Sequence, residues 1–276
     1  MTKPAPTFTL VDWLGLSLLW LFTVTALTGY GSFGLHPRLL ARFPESANFY
    51  PTAFLVFSRG HVIFALLVLA GLLTPRIGFK WLPALMVTYA ISLGMELMGT
   101  YTGFPFGGYE YTGLLGYRIA NLVPLLIPFS WFMMAFPAYV LARRMASGKI
   151  MVWVLGAVLL TIWDLTLDPA MSDLTPYWRW DQLGPYYGMP LVNLLGWLGT
   201  GFLIMIGFHA LNVGKLADRI PTPIMEIYYI TVIVLSLGMT ILAGYWLAVI
   251  LTLAAFAGIR IMLYQSNTRS GLTKSP

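Results

Sequence analysis

Long apolar stretches alternate with short polar ones along the chain, at a spacing typical of a membrane-spanning bundle. About 20 consecutive apolar residues are needed to cross a bilayer as an α-helix. Eight stretches reach roughly this length: 10–30, 52–73, 81–103, 118–142, 150–171, 188–212, 223–242 and 244–265. The pattern predicts an all-α, polytopic membrane helix bundle of about eight transmembrane helices, in a single transmembrane domain over residues 1–276. The short turn near Gly244 also allows seven spans and a re-entrant segment.

Positively charged side chains are unevenly distributed over the connecting segments, and this distribution predicts the orientation. One set of segments carries Lys3, Arg76, Lys80, Arg143, Arg144, Lys149, Lys215, Arg219, Arg269 and Lys274. The opposite set carries only Arg38, Arg42, Arg118 and Arg179. Because cytoplasmic segments are enriched in Lys and Arg, we expect both termini in the cytoplasm. The long loops 31–51, 104–117 and 172–187 then face outward.

The composition supports membrane insertion and excludes several kinds of site. The chain is 58% hydrophobic and 9% charged, whereas soluble domains carry about 25% charged residues. With no cysteine, disulfides and thiolate metal sites are excluded. The three histidines are spread along the chain and do not form a metal cluster, and no glycine-rich nucleotide-binding motif or nucleic-acid motif is present. We therefore expect no metal, no cofactor and no nucleic-acid partner.

Two aspartates interrupt an apolar run that should cross the membrane. The stretch "TIWDLTLDPAM" (161–171) places Asp164 and Asp168 one helical turn apart, on the same helical face. A carboxylate near the middle of the bilayer costs about 2.5–3.5 kcal/mol on insertion scales. The two acids therefore need partners inside the bundle.

Other polar residues occur at a similar predicted depth. Arg59, Glu96 and Asp164 each lie seven residues from the outer end of a predicted span, which is about 10 Å at 1.5 Å per residue. His61 follows Arg59 on the same helix, and Asn193 lies near the start of the sixth span. Intramembrane ionisable groups usually face one another and usually mark a functional site. The alternative is a buried ion-pair network that only locks the helices together.

Two segments of the chain indicate an internal duplication. "PLLIPFSW" (124–131) and "PLVNLLGW" (190–197) share the pattern P-L-x-x-x-x-[SG]-W, and each follows an aromatic, glycine-rich loop. Each loop in turn follows a helix that contains a buried acid. The spacing predicts a parallel hairpin repeat of 81–142 and 150–212, with the site between the two copies.

The predicted site suits acid chemistry on an apolar substrate. An apolar environment favours the neutral form of a carboxylic acid, which can then protonate a weak base. Aromatic faces, which are dense in the outer loops, stabilise cations; the alternative is that these rings form an aromatic belt at the membrane surface. Acids and aromatic rings together favour carbocation chemistry on an alkene dissolved in the bilayer.

Three sequence blocks carry a resemblance to a known family. They are the E-x(5–8)-G-x-P-F-G-x-Y-x-Y block that begins at Glu96, the W-D-x(3)-D-P block at 163–169, and the P-x-x-N-x-x-G-W block at 190–197. The chain resembles the CruF-type carotenoid 1,2-hydratases, integral membrane enzymes of carotenoid biosynthesis. The resemblance implies a lyase (hydro-lyase) of the prokaryotic cytoplasmic membrane that works without a cofactor. It would add water to the terminal 1,2 double bond of an acyclic (ψ) end group of γ-carotene, lycopene or a related carotenoid.

Such a reaction assigns roles to the candidate residues. Protonation at C2 places a tertiary cation at C1, where water captures it to give a 1-hydroxy carotenoid. We expect Asp164 to donate the proton, with Glu96 as its rival, and Asp168 or His61 to hold the water. Arg59 would keep one carboxylate ionised. The end group would contact a set of aromatic residues and an amide: Trp131, Trp163, Trp197, Phe104, Phe106, Tyr109, Tyr111 and Asn193.

Other functions fit parts of the pattern. "DLTLD" (164–168) reads as an acidic motif of an intramembrane prenyltransferase, but the other predicted hairpin offers only Glu96 and Glu110 as a second one. A membrane transporter with a polar cavity and a pigment-binding scaffold are further alternatives. The expected partners are a carotenoid from the lipid phase, membrane lipid, and other enzymes of the carotenoid pathway.

Overall fold

The computed structural model describes residues 8–272, with side chains described for residues 8–261. It is an all-α bundle with a few short strands between the helices. The helices are α1 (Leu10–Gly29), α2 (Pro37–Arg42), α3 (Pro44–Ile77), α4 (Leu82–Thr102), α5 (Leu126–Met145), α6 (Lys149–Asp168), α7 (Val192–Ala210), α8 (Val213–Ala217), α9 (Thr222–Leu242) and α10 (Trp246–Leu272). Short π-helical segments, Tyr30–Gly34 and Pro169–Leu174, extend α1 and α6.

The helices have the length and composition of membrane spans. Within the described residues, six helical segments are long and apolar enough to cross a membrane, and one of them, Pro44–Thr102, contains both α3 and α4. The described apolar part of α10, Trp246–Ile261, is shorter. The chain is therefore a multi-pass membrane helix bundle. The count of eight spans and the orientation stay predictions, and Lys3 and Lys274 lie outside the described residues.

Helix α5 forms the centre of the bundle. It is buried without interruption from Ser130 to Ala142 and contacts α3, α4, α6, α7 and α9. Its large side chains, among them Trp131, Phe132 and Phe136, are almost fully enclosed. A helix that is apolar on all sides and buried in this way is the expected core of a bundle.

The segment before α5 differs from the sequence prediction. We expected a helix to begin at 118, but residues 118–124 form a small hairpin of β2 (Arg118–Ile119) and β3 (Val123–Pro124). Ala120 and Asn121 both have positive φ angles, which a helix does not allow. The hydrophobic run thus continues from a loop into the helix, and apolar composition alone does not mark the boundary.

Two further strands come from loops that are distant in sequence. β1 (Tyr109–Tyr111) follows α4, β4 (Trp178–Trp180) follows α6, and the two strands pair antiparallel. Tyr109 faces Trp180, and Tyr111 faces Trp178. This pairing joins the loops after α4 and α6 into one cover over the helices that carry the acids.

Helices α1 and α3 are joined at one end by an ion pair. Arg76 donates to both carboxylate oxygens of Asp12, at 2.8 and 2.6 Å, and Asp12 is 1% exposed. A bidentate pair of this kind fixes geometry as well as charge. It sets the register of the two antiparallel helices.

Candidate active site

A cavity of about 400 Å³ lies beneath the β1–β4 strands. Its walls come from α1, α3, α4, α5, α6, α7 and α9, and most of the lining side chains are apolar or aromatic. Four polar side chains named in the sequence analysis line it: His61, Glu96, Asp168 and Asn193. A mostly apolar pocket with a few converging polar groups is the usual form of a ligand site.

Glu96 is surrounded by hydrogen-bond donors. Tyr109 and Tyr111 both donate to its Oε2, the second over 2.8 Å, and Trp131 Nε1 donates to Oε1 over 2.9 Å. We call Glu96 with these three residues the Glu96 cluster. Because every partner donates, these hydrogen bonds offset part of the cost of burying an ionised carboxylate.

The two tyrosines of this cluster lie in the loop between α4 and α5. Burial raises the pKa of both hydroxyls well above the ordinary value, and the neighbouring Glu96 carboxylate raises it further. Both groups therefore keep their protons and remain donors to Glu96.

Asp168 has an equivalent set of partners, two of them from β4. Ser172 and Trp180 donate to Oδ1 over 2.8 and 3.2 Å, while Trp178 and Asn193 donate to Oδ2 over 3.3 and 3.4 Å. We call Asp168 with these four residues the Asp168 cluster. Alternation along β4 places both indoles on the same face of the strand, as alternation along β1 does for the tyrosines.

Asp164 lies behind this cluster and has few partners. It is fully buried and does not line the cavity. Its Oδ2 accepts from Asn193 Nδ2 over 2.8 Å, while its buried Oδ1 has no hydrogen-bond partner. Since the same amide nitrogen also contacts Asp168, the two aspartates are close neighbours. Two carboxylates so placed in an apolar site do not both ionise readily.

A pair of stacked tryptophans forms the boundary between the two clusters. Trp131 and Trp197 are the last residues of the two P-L-x-x-x-x-[SG]-W segments, and their rings stack at 4.2 Å. Trp163 meets Trp197 edge-on at 5.9 Å. The hairpin duplication stays a prediction.

His61 contributes an imidazole from α3. Its Nε2 lies 3.2 Å from Thr23 Oγ1 on α1, and Thr23 donates its hydroxyl proton to Leu19 O over 2.9 Å. With that proton already used, Thr23 accepts from His61 Nε2–H. The neutral ring then keeps Nδ1 as an acceptor, because one nitrogen donates and the other accepts.

Besides Asp164, two sequence-predicted site residues lie outside the cavity. Arg59 donates to Leu114 O over 2.8 Å and to Gly113 O over 3.4 Å, so it ties α3 to the loop after β1 and does not pair with a carboxylate. This corrects the expectation that Arg59 keeps a cavity acid ionised. Phe104 does not line the cavity, and its side chain is 66% exposed. It lies just after the end of α4, where the chain runs along the outer surface.

The remaining predicted aromatic residues line the cavity, and the structure adds others. Trp131, Trp163, Trp197, Phe106, Tyr109 and Tyr111 are lining residues. Thr23, Ser172, Trp178 and Trp180 bond to residues of the site but were not predicted from the sequence. The signal for the two tryptophans was available: "WRW" follows Asp164 at almost the same distance as "YEY" follows Glu96.

The acids are not arranged as a metal site. Within residues 8–261, no group of three or more His, Asp or Glu side chains is placed to hold a metal ion. Glu110, one acid considered for a second prenyltransferase motif, is exposed on β1 opposite Arg179.

Comparison with known proteins places the chain in a family. The family described as carotenoid biosynthesis protein matches residues 57–259. The chain belongs to this family. A bisanhydrobacterioruberin hydratase from Haloarcula japonica is 32% identical over 131 residues, which cover 45% of this chain and 43% of that protein. The matched segment thus spans less than half the length of this relative. No solved structure matches.

The part of the chain that matches the carotenoid biosynthesis family contains almost the whole site. Both carboxylate clusters, Asp164 and His61 fall within residues 57–259. Helix α1, which supplies Thr23 and one wall of the cavity, lies before the matched region.

Proposed function

We propose that this protein is a carotenoid 1,2-hydratase that adds water to an acyclic end group. The observation that carries the proposal is a single aromatic-walled cavity with a donor-saturated carboxylate on one side and a close pair of aspartates on the other. Membership of a carotenoid biosynthesis family and the name of the Haloarcula relative support the choice of substrate class. The protein would act in the cell membrane, where its substrate is dissolved.

The aspartate pair supplies the proton. Asp164 and Asp168 share one proton, since a second charge beside the first is unfavourable in a water-poor site. Four donors stabilise charge on Asp168, whereas Asp164 has one, so Asp164 holds the proton at rest. Asp168 is the member that lines the cavity. The proton moves from Asp164 to Asp168 and from there to C2 of the terminal double bond, which leaves the pair with no proton and both carboxylates ionised.

Water capture completes the addition. Protonation at C2 leaves a tertiary cation at C1, which the surrounding aromatic faces stabilise. A water oriented by His61 Nδ1 attacks C1 and gives up a proton to the ionised Glu96. The proton gained by Glu96 equals the one lost by the aspartate pair, and exchange through water resets the site.

The test is a pigment profile in cells that make lycopene or γ-carotene. The wild-type protein should give 1-hydroxy carotenoids, and Asp164→Asn and Asp168→Asn should each lower product formation by about 10²–10⁴-fold, the usual contribution of an acid–base group. Asp173→Asn is the matched control, because Asp173 is an exposed aspartate of the same segment that bonds only to Tyr245 at the surface. Absence of hydroxylated product from wild-type cells would overturn the proposed function. Unchanged product with Asp168→Asn would overturn the role of the pair.

A further inference from the structure

The cavity has a side opening between α1 and α3. Several residues that line the cavity are also exposed on the outside of the bundle. They are Thr25 and Thr28 on α1, and Phe49 on α3, whose side chain is 69% exposed. A residue that both lines a cavity and reaches the outer surface marks its mouth. This mouth faces the side of the bundle, where lipid would lie, and not one of its ends.

Contacts between α1 and α3 define the two edges of this opening. On one side, Thr23 bonds to His61 at 3.2 Å and Phe22 packs on Phe57 at 4.6 Å. On the other side, Phe33 in the π-helical extension of α1 meets Tyr50 at 5.7 Å. From Thr23 to Tyr30, where the π-helical segment that carries Phe33 begins, α1 rises about 10 Å. We call the gap between these contacts the α1–α3 window.

The other flank of α1 is closed at the same level. Leu27 packs so tightly on α9 that a Cβ at Gly238 would lie 2.6 Å from it, and a Cβ at Gly31 would lie 3.2 Å from Leu242. The cavity therefore opens past α1 towards α3 and not towards α9.

Gly29 lies at the centre of the window and keeps it open. It lines the cavity, and a Cβ added there would meet no atom within 4 Å. Its backbone is helical, with φ −62° and ψ −44°, so no positive φ requires glycine at this position. The neighbouring Thr25 and Thr28 bond back to Leu21 O and Val24 O over 2.8 and 2.9 Å, which satisfies their hydroxyls. The rim is thus apolar.

The volume of the cavity indicates that a long ligand must extend through the α1–α3 window. About 400 Å³ suits a drug-sized ligand or one end of a long one. A rigid polyene roughly as long as the ~30 Å hydrocarbon core of a membrane does not fit inside. If its end group lies beside Asp168, the rest of the molecule must leave the protein by an apolar route.

We propose that the α1–α3 window holds the polyene of an end-bound carotenoid, so that one end group lies in the cavity while the remaining chain stays in the lipid. The identity of this ligand rests on the proposed function. One end group is engaged at a time, and a second end requires release and rebinding.

Filling the window tests the proposal. Gly29→Phe should lower both 1-hydroxy carotenoid formation and the amount of carotenoid retained on the purified protein by at least about tenfold, and Gly29→Ala should lower them much less. Gly94→Phe is the matched control: Gly94 is also a helical glycine with no atom within 4 Å of an added Cβ, but it lies on α4 away from the cavity.

A labelling experiment avoids any effect on folding. The chain has no cysteine, so the single thiol introduced by Gly29→Cys can be modified with a bulky maleimide after purification. Lycopene added beforehand should slow this labelling, and labelling should prevent lycopene retention. The thiol introduced by Gly94→Cys should show neither effect.

The outcomes separate the window from the hydratase. Wild-type retention and product with Gly29→Phe, or no protection of the thiol at position 29, overturn the window and leave the hydratase intact. Retention that falls with Gly29→Phe in a protein that forms no hydroxylated product supports the window and overturns the hydratase. Neither retention nor product from the wild type overturns both.

Discussion

Two carboxyl groups reach the same cavity from successive helix pairs, and their surroundings differ. Glu96 has three donors, two of them phenols, and within the described residues it shares none of them with another carboxyl group. Asp168 has four donors, two of them indoles, and shares Asn193 with Asp164. Each helix pair thus has a strand at a similar position. In the first helix pair this strand contacts one carboxylate with donors of its own, and in the second it contacts one of two neighbouring aspartates.

This difference divides the chemistry between the two halves. An isolated carboxylate with only donors around it is suited to accept a proton. Two adjacent carboxyl groups hold one proton between them, and are suited to give it away. A site that protonates an alkene and deprotonates a water needs both functions at once, and the two helix pairs place both kinds of acid at one cavity.

The largest expected effect comes from removing each acid in turn and following deuterium. In D₂O, Glu96→Gln should lower hydration by about 10²–10⁴-fold yet still allow protonation at C2, because Asp164 and Asp168 are intact. The cation, without efficient water capture, loses a proton and returns an alkene that carries deuterium. Asp168→Asn should abolish both hydration and deuterium uptake. Mass spectrometry of the recovered carotenoid measures both.

The reverse result would exchange the roles. Deuterium uptake that survives Asp168→Asn and disappears with Glu96→Gln would make Glu96 the acid. The exposed Asp173→Asn variant should behave as wild type in the same assay.

The sequence predicted the fold and the meeting of the acids better than their partners. The length of the apolar runs and the cost of a carboxylate in lipid are local properties, so the bundle and the inward-facing Glu96, Asp164 and Asp168 follow from them. The partners are set by tertiary structure. Trp178 and Trp180 reach Asp168 only because β4 pairs with β1 across more than sixty residues of sequence, which apolar periodicity does not report.

Arg59 shows the same limit for a charged residue. Its depth next to His61 favoured pairing with a carboxylate, and depth follows from sequence alone. The direction of its side chain does not follow from sequence: the guanidinium turns to the carbonyls of Gly113 and Leu114, in the short 3₁₀ turn after β1. Backbone carbonyls in loops often accept hydrogen bonds from an arginine in place of a carboxylate. Sequence patterns do not show where such carbonyls lie.

A smaller effect should separate the two stacked tryptophans. Trp131→Phe removes a 2.9 Å hydrogen bond to Glu96, whereas Trp197 only stacks on its neighbours. A hydrogen bond to a charged group contributes about 1.5–3 kcal/mol, so Trp131→Phe should lower the hydration rate roughly ten- to hundredfold. Trp197→Phe should lower the hydration rate a few-fold at most. Equal losses measured by pigment analysis would mean that ring packing, and not the donor, is what Trp131 contributes.

The smallest effect concerns alkaline stability, and of the two clusters only the Glu96 cluster should contribute to it. Burial raises the pKa of Tyr109 and Tyr111, so the folded protein keeps protons that the unfolded chain loses above its ordinary tyrosine pKa of about 10. Stability should therefore be unaffected below that pH and fall as pH rises above it, by up to about 1.4 kcal/mol per pH unit for each tyrosine. Thermal unfolding in detergent measures the slope, and Tyr109→Phe with Tyr111→Phe should reduce it. Indoles do not titrate in this range, so Trp178→Phe with Trp180→Phe should leave the alkaline slope unchanged even if it lowers stability at neutral pH. A change of slope in the tryptophan variant would show that the Asp168 cluster contributes to the alkaline sensitivity as well.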